Sequence, residues 1–422
     1  MTTLDDVCVA IVDCEHKTAP KAESGHPSIR TTDIKNGRID FDGANKVSEE
    51  TYEYWTKRRR PMPGDLILAR EAPVGEVGLI PEGIFPVLGQ RTVLLSPDVS
   101  KVVPRYLHYL LISPDLQHTL EVRSAGSTVH HLNMKDIRAL ELPELPELPE
   151  QREIAAILGA LDDKIELNRK TAATLEAMAR ALYRSWFVDF DPVWAKTEGR
   201  PPAHMDAATA ALFPDSFGDE GLPVGWEVKS LSSIATFLNG AALQKFPPKE
   251  SEDSLPVIKI AELRNGVTAS SNRASADLPA KYRIQDGDVL FSWSGSLLQK
   301  VWTNGSGALN QHLFKVSSDL VPKWFHYFAV DQHMEDFREI AHSKATTMGH
   351  IQRHHLDEAM VSLPADEIIS AADRIMSPLF ERIVALELEN KTLATLRDTL
   401  LPRLMSGELR VGEAREQAEA VA

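Results

Sequence analysis

The sequence predicts an α/β chain written twice: two α/β domains in tandem, each followed by a long helix, with the two helices packed on each other. Three observations carry this. The chain contains an internal repeat. Each copy passes from a strand-rich part to a helical part, and each helical part carries an apolar seam at heptad spacing. At 422 residues it is also too long for one ordinary core.

The repeat is visible by inspection. Pro27-Ser-Ile-Arg-Thr-Thr-Asp-Ile-Lys-Asn-Gly37 matches Pro256-Val-Ile-Lys-Ile-Ala-Glu-Leu-Arg-Asn-Gly266 at an offset of 229. Arg30 faces Lys259, Asp33 faces Glu262 and Lys35 faces Arg264. Gly64-Asp-Leu-Ile-Leu matches Gly287-Asp-Val-Leu-Phe, Gln90 falls on Gln311, and Arg105-Tyr-Leu-His-Tyr falls on Lys323-Trp-Phe-His-Tyr. Ser124, Thr128, His131 and Leu132 fall on Ser343, Thr347, His350 and Ile351, and Lys170-Thr-Ala-Ala-Thr-Leu falls on Lys391-Thr-Leu-Ala-Thr-Leu. The offset drifts by a few residues, as loop insertions cause.

In order along the chain, short β-branched runs between Gly, Pro, Asn and Asp clusters, such as Leu66–Ala69 and Val289–Trp293, predict strands joined by turns. From about Glu150 to Phe187 the pattern becomes helical. Leu158, Leu161, Ile165, Asn168, Ala172, Leu175, Ala179 and Leu182 alternate at three and four residues, and Met376, Leu379, Ile383, Leu386, Asn390, Leu393 and Leu400 repeat the pattern, interrupted by Arg397. One polar Asn in each seam suits a register-fixing position. Pro143, Pro146 and Pro149 mark the first domain-to-helix junction and Pro364 the second. Ser377-Pro378 either starts a fresh helix or kinks a longer one. The expected segments are a first domain at 1–147, a spacer helix at 148–190, a linker and entry to the second domain at 191–225, a second domain at 226–362, a second spacer helix at 363–412 and a polar tail at 413–422.

The net charge of -15 argues, at face value, against a nucleic-acid binder, because phosphate neutralisation supplies most non-specific affinity. The acidity is even, at -3 or -4 in each of 1–143, 144–198, 199–362 and 363–422, so any DNA contact must come from locally placed charge. Two cysteines, Cys8 and Cys14, form neither a disulfide framework nor a Cys-x-x-Cys site, which suits a reducing cytoplasm. Asp5, Asp6 and Asp13 bracket a short apolar stretch, so neither a signal peptide nor a transmembrane helix is expected.

Catalytic motifs are mostly missing. Asp191-Pro-Val-Trp194 approaches an adenine-methyltransferase motif but lacks its second proline and a glycine-rich cofactor loop. Pro214-Asp215 with Glu227-Val-Lys229 mimics a nuclease metal site, a short pattern that is common by chance. No Walker loop is present, and the pairs His130-His131 and His354-His355 lack zinc-site spacing. No metal site is expected. What remains is binding.

The sharpest local charge is Lys57, Arg58, Arg59 and Arg60 beside Tyr52, Tyr54 and Trp55, a basic run among aromatics that suits phosphate contact and stacking. Its weaker counterpart is Lys281 with Arg283. Arg123, Ser127, Thr128 and His131 in the first copy, and Lys344, Thr346, Thr347 and His350 in the corresponding stretch of the second, combine hydroxyls and bases suited to phosphates. Gln90 with Arg91, Gln311 with His312, and Arg353 are further candidates, since Arg and Gln read base edges. Arg30, Lys35, Lys259 and Arg264 complete the DNA-binding set.

This order of elements resembles the specificity subunits of Type I restriction-modification systems. The likeness is strongest at Leu148-Pro-Glu-Gln-Arg-Glu-Ile-Ala155, Leu161-Asp-Asp-Lys-Ile165, Ser185-Trp-Phe-Val-Asp-Phe190 and Leu396-Arg-Asp-Thr-Leu-Leu-Pro-Arg-Leu-Met-Ser-Gly407. The second helix start, Leu363-Pro-Ala-Asp-Glu-Ile, departs from the pattern by lacking the Glu-Gln pair, and the first domain lacks an opening like Trp226.

The resemblance implies two target-recognition domains that each read half of a split, asymmetric site, held apart by antiparallel helices. A helix of about 35 residues spans roughly 50 Å, enough to separate two readers by about one DNA turn of 34–36 Å. It implies two modification subunits that use S-adenosylmethionine on a flipped adenine, and motor-nuclease subunits that use ATP and Mg2+. This chain would hold no cofactor and be non-catalytic. Two similar halves related by a pseudo-twofold axis would offer two docking surfaces, expected on exposed helix faces around Tyr183, Trp186 and Phe187. Two rivals stay open: a stand-alone nuclease or methyltransferase, and a coiled-coil scaffold that binds no DNA.

Overall fold

The computed structural model describes residues 2–124, 130–219, 221–248, 253–343 and 349–420. They form two units, the first from Met1–Ile165 with Thr392–Ala422, the second from Glu166–Lys391.

The first unit contains β1 (Cys8–Asp13), β2 (His26–Ile29), β3 (Asn45–Val47), α1 (Glu49–Trp55), β4 (Leu66–Arg70), β5 (Val74–Leu79), β6 (Val87–Leu88), β7 (Thr92–Pro97), α2 (Pro104–Leu111) and α3 (Pro114–Ser124). Its main sheet is antiparallel in the order β1-β7-β4-β5, and a smaller sheet runs β3-β2-β6, with Ser28 parallel to Val87. The apolar run of β4 follows from burial on both faces. Leu66 and Leu68 enter one core with α2, while Ile67 and Ala69 enter a second with Ile29 and Leu94.

Next come α4 (Leu148–Phe187), α5 (Asp191–Thr197) and α6 (Ala207–Leu212). The second unit then repeats the plan with β8 (Thr236–Asn239), β9 (Ser254–Ile258), α7 (Ile260–Asn265), β10 (Arg273–Ser275), β11 (Arg283–Ile284), β12 (Val289–Ser292), β13 (Gln299–Val301), β14 (Gly307–Leu309), β15 (Leu313–Ser317), α8 (Lys323–Gln332) and α9 (Met334–Ser343). Its sheets run β8-β15-β12-β13 and β10-β9-β14-β11, with Ile258 parallel to Leu309. Val289 and Phe291 face one core and Leu290 another, the alternation seen in β4.

The chain ends with α10 (Asp366–Met405) and α11 (Val411–Glu419). In the first unit, Ile154, Leu158, Leu161 and Ile165 of α4 share a core with Leu393, Leu400, Leu401 and Leu404 of α10. In the second, Ala179 and Tyr183 share a core with Ala372, Met376 and Phe380. The beginning of each helix thus packs with the end of the other, and the two run antiparallel. Helix α10 continues through Pro378, so Ser377-Pro378 starts no separate helix. Asn168 is buried with its Nδ2 unpartnered among the described residues, and Asn390 leaves its Oδ1 in the same state.

Arg397, which interrupts the second seam, has a structural reason. Its Nη1 donates to Asp162 Oδ1 at 2.7 Å, Arg38 Nη2 donates to the same oxygen at 3.2 Å, and the Tyr109 hydroxyl donates to Asp162 Oδ2 at 2.7 Å. Burial alone would raise the Asp162 carboxyl, but Arg397, Tyr109 and Arg38 outweigh it and hold the group below the usual carboxylate range. This network ties the first domain to both long helices.

Three sequence expectations are corrected. The linker part of segment 191–225 is folded: α5 and α6 form there, and Val193 and Phe213 are buried in the core of the second unit, into which the segment leads. The segment at 413–422 is no free polar tail, because α11 extends to Glu419 and buries Ala414 in the first unit. Tyr183, Trp186 and Phe187 lie on no exposed face. They are 3%, 4% and 2% exposed, and Phe187 packs against Trp226, Trp324 and Phe325, so they complete a core rather than the exposed docking face expected of them.

Candidate nucleic-acid interface

In both units β1, β4 and β7, or their counterparts β8, β12 and β15, finish or begin at one edge of the main sheet. Main-chain bonding makes the two edges equivalent. Cys14 N donates to Thr92 O where Gly240 N donates to Leu313 O, and Leu132 N donates to Arg70 O where Ile351 N donates to Trp293 O, both at 3.0 Å. Isolated bridges join Glu71 to His131 and Ser294 to His350. The side chains at these matched positions do not match.

The first unit places charge there. Asp13, the last residue of β1, accepts Arg70 Nη1 at 2.6 Å and contacts His16 Nε2 at 3.1 Å. Arg70 Nη2 lies 3.3 Å from His131 Nε2, while Glu71 pairs with His131 at 3.6 Å and with Arg91 at 3.5 Å. Arg58 pairs with Glu15 at 3.2 Å and donates to the Asp13 carbonyl, and Gln90 Nε2 reaches the His16 carbonyl at 3.4 Å. Asp13, Cys14 and His16 also bring donor atoms within 4.8 Å of one another, with the Arg70 guanidinium on Asp13 Oδ2.

The second unit places neutral groups at the same edge. Trp293 Nε1 donates to Asn239 Oδ1 at 3.1 Å, Ser294 Oγ lies 3.1 Å from His312 Nδ1, and Gln311 Nε2 lies 3.3 Å from His312 Nε2. The Trp293 ring stands 5.7 Å from His312 and 6.3 Å from His350. Partly exposed amides and imidazoles can hydrogen-bond base edges and an indole can make apolar contact with them, whereas the first unit's Arg and Glu suit charged-donor and acceptor readout.

The edge thus gathers Arg58, Gln90, Arg91 and His131 in one unit and Gln311, His312 and His350 in the other. The remaining candidates lie apart from these sets. Arg59 donates to Ser96, Arg60 pairs with Glu53 at 2.6 Å, and Lys57 lies over the Tyr54 ring at 4.1 Å. Arg30 is held by Asp33 in a capping box, and Lys259 bonds Asn272 beside the matching box with Glu262. Arg123 caps the Asp136 and Ala139 carbonyls, Arg283 donates to Ala276 O, Lys281 lies over Tyr282, and Arg353 lies over Phe314. Lys35, at the end of a short strand, and Arg264, in α7, are exposed at matched positions. Ser127, Thr128, Lys344, Thr346 and Thr347 lie outside the described residues.

Sequence reasoning missed Asp13, Arg70, Glu71, Asn239, Trp293 and Ser294. The available signal was position: each ends or closely follows a strand, and Arg70, Glu71, Trp293 and Ser294 do so after a buried run. In sequence Trp293 reads as one more strand residue, although β12 stops at Ser292.

The family model for the Type I restriction modification DNA specificity domain matches residues 1–177 and 223–397, one match for each copy of the repeat. The chain belongs to this family. Among relatives, it is similar to the Type I restriction enzyme MjaIX specificity subunit of Methanocaldococcus jannaschii, 28% identical over 398 residues that cover 92% of this chain and 87% of that one. It is also similar to the HindI specificity subunit of Haemophilus influenzae, 27% identical over 373 residues, with 76% and 81% covered. The crystal structure of a Type I restriction-modification S subunit from M. genitalium shares the fold at a TM-score of 0.54 and 15% identity, covering 96% and 95% of the two chains. As a specificity subunit the chain recognises DNA sequence through two recognition domains. Its partners are DNA and the modification and restriction subunits, and the chemistry belongs to those subunits. No described helix is long and apolar enough to cross a membrane.

Proposed function

We propose that the two units read different halves of one split, asymmetric duplex site, each through the polar set at its sheet edge. The observation that carries this is the mismatch of side chains on a matched backbone: Asp13, Arg70, Glu71, Arg91 and His131 stand where the second unit has Asn239, Trp293, Ser294, His312 and His350. A duplicated scaffold with two unlike reading surfaces suits a site whose halves differ. Lys57 supplies a phosphate contact, as do the hydroxyls of Ser127, Thr128, Thr346 and Thr347.

The bound chain directs adenine methylation or cleavage by its partners. S-adenosylmethionine serves the modification subunits, ATP and Mg2+ serve the motor-nuclease subunits, and the complex works in the cytoplasm. The duplication of the chain supports two modification subunits per specificity subunit. The test is reconstitution. Purified chain with duplex DNA, Mg2+, ATP and S-adenosylmethionine gives no product, and adding modification subunits gives site-specific methylation. Methyl transfer or cleavage by the chain alone overturns the reading.

A further inference from the structure

Most basic side chains named above already hold partners in the folded chain, carboxylates in surface ion pairs for Arg30, Arg58, Arg60 and Arg91, and carbonyls for Arg123 and Arg283. One group in the second unit differs. Arg264, in the last turn of α7, and Arg338 and His342, one turn apart on α9, line an open cleft of about 490 Å³. No acidic side chain lines it, and none of the three has a hydrogen-bond or ion-pair partner among the described residues. The rest of the lining is Gly295, Ser296, Leu297, Ala341 and Gly349.

The floor is built from close backbone. Gly295 N donates to Gly349 O at 2.8 Å, and a Cβ at Gly349 would lie 2.2 Å from the Ala341 carbonyl oxygen, so only glycine lets the backbone at 349 lie against Ala341 of α9. In a chain of net charge -15, two guanidinium groups facing one cleft without a carboxylate repel each other until an anion joins them. The cleft is open, so the anion need not be small or free. The matched positions in the first unit are Lys35, Thr119 and Arg123, and Arg123 is turned onto the Asp136 and Ala139 carbonyls. The first unit therefore assembles no equivalent pair of guanidinium groups.

We infer that this cleft is a phosphate-binding site that seats a backbone phosphate of duplex DNA, with Arg264 and Arg338 donating to its non-bridging oxygens and Ser296 and His342 completing the shell. The assignment rests on the DNA-reading function proposed above and adds Arg338, His342 and Ser296, which no sequence feature singled out. It also makes the phosphate grip unequal between the two units.

The experiment measures affinity of the full chain, assembled with its modification subunits, for a duplex of arbitrary sequence across a salt series. Arg264→Gln with Arg338→Gln should weaken binding and flatten the slope of log affinity against log salt by about 0.9 for each phosphate no longer neutralised. Arg338→Lys should recover part of that affinity, and Arg415→Gln on α11, an exposed single-charge change, should leave the slope as it was. If wild-type binding is salt-dependent and the double variant keeps both affinity and slope, the cleft is no DNA phosphate site, while the DNA-reading function stands. Inorganic phosphate that binds the cleft without any effect of the double variant on duplex binding overturns the assignment equally. If the wild-type complex shows no salt-dependent binding, the function itself fails and takes the assignment with it.

Discussion

Replacing Asp162 by Asn tests how the first recognition domain is fixed to the long helices. The carboxylate receives Arg397 at 2.7 Å, Arg38 at 3.2 Å and Tyr109 at 2.7 Å, and the side chains of Asp162, Arg397 and Arg38 are only 16%, 17% and 27% exposed. Removing one partner of a buried pair costs about 3–5 kcal/mol, and since Asn still accepts from one guanidinium in a site that keeps some solvent, a loss of about 2–4 kcal/mol is expected. The pH dependence has a definite sign. Because the folded-state pKa is lowered, the network's contribution is complete above the unfolded value of about 4 and is lost as pH falls through the folded value. Asp162→Asn should therefore flatten the acid limb of stability as well as lower the neutral plateau. Hydrogen exchange of the α2 amides, which carry Tyr109, reports this locally, and urea titration reports it globally. A variant within about 0.5 kcal/mol of wild type, the range of an ordinary surface substitution, with an unchanged acid limb would mean that the network does not hold the domain in place.

Three further outcomes follow from the same geometry. Lys57→Gln should flatten the salt dependence of duplex binding by up to about 0.9, whereas Arg60→Gln, whose guanidinium is already held by Glu53, should leave the slope unchanged; the same assay reads both. Phe187→Ala should destabilise the second unit by about 3–5 kcal/mol in denaturant titrations, as a large buried aromatic does, and loss of modification-subunit binding at full stability would contradict its placement in the core. Burial of His326 on α8, helped by Lys323, lowers its pKa to about 4, so the neutral ring favours the fold above about pH 6.5 and stability falls as pH drops from there towards 4. His326→Phe should remove about 3 kcal/mol of that acid sensitivity, as the shift implies, when stability is measured across the window.

The architecture was legible because repeated backbone tasks need repeated residue types. The capping boxes at Arg30 with Asp33 and Lys259 with Glu262, and the apolar runs of β4 and β12, solve the same local problem twice. The reading edge was only half legible. Gln90, Arg91, Gln311, His312, His131 and His350 stand out as matched polar residues, but Asp13 and Asn239 meet them only through strand pairing that brings distant segments to one edge. Charge misled in a physical way. The run Lys57–Arg60 looks like an open basic patch in sequence, yet Glu15, Ser96 and Glu53 receive three of its four side chains. Aromatic residues beyond the seam misled similarly, because Tyr183, Trp186 and Phe187 point into a core completed by Phe213, Trp226 and Trp324, which the helix pattern alone does not show.

Whether one chain reads two half-sites with two separate polar sets is decided by mapping methylated adenines in cells that express the chain with its modification subunits. The chain is compared as wild type, with Glu71→Gln and Arg91→Gln, and with Trp293→Ala and His312→Ala. A gapped, asymmetric motif is expected, with the first pair of substitutions relaxing one half only and the second pair relaxing the other half only. A continuous motif, or substitutions in one unit that alter both halves together, would show that the two sets do not read separate halves.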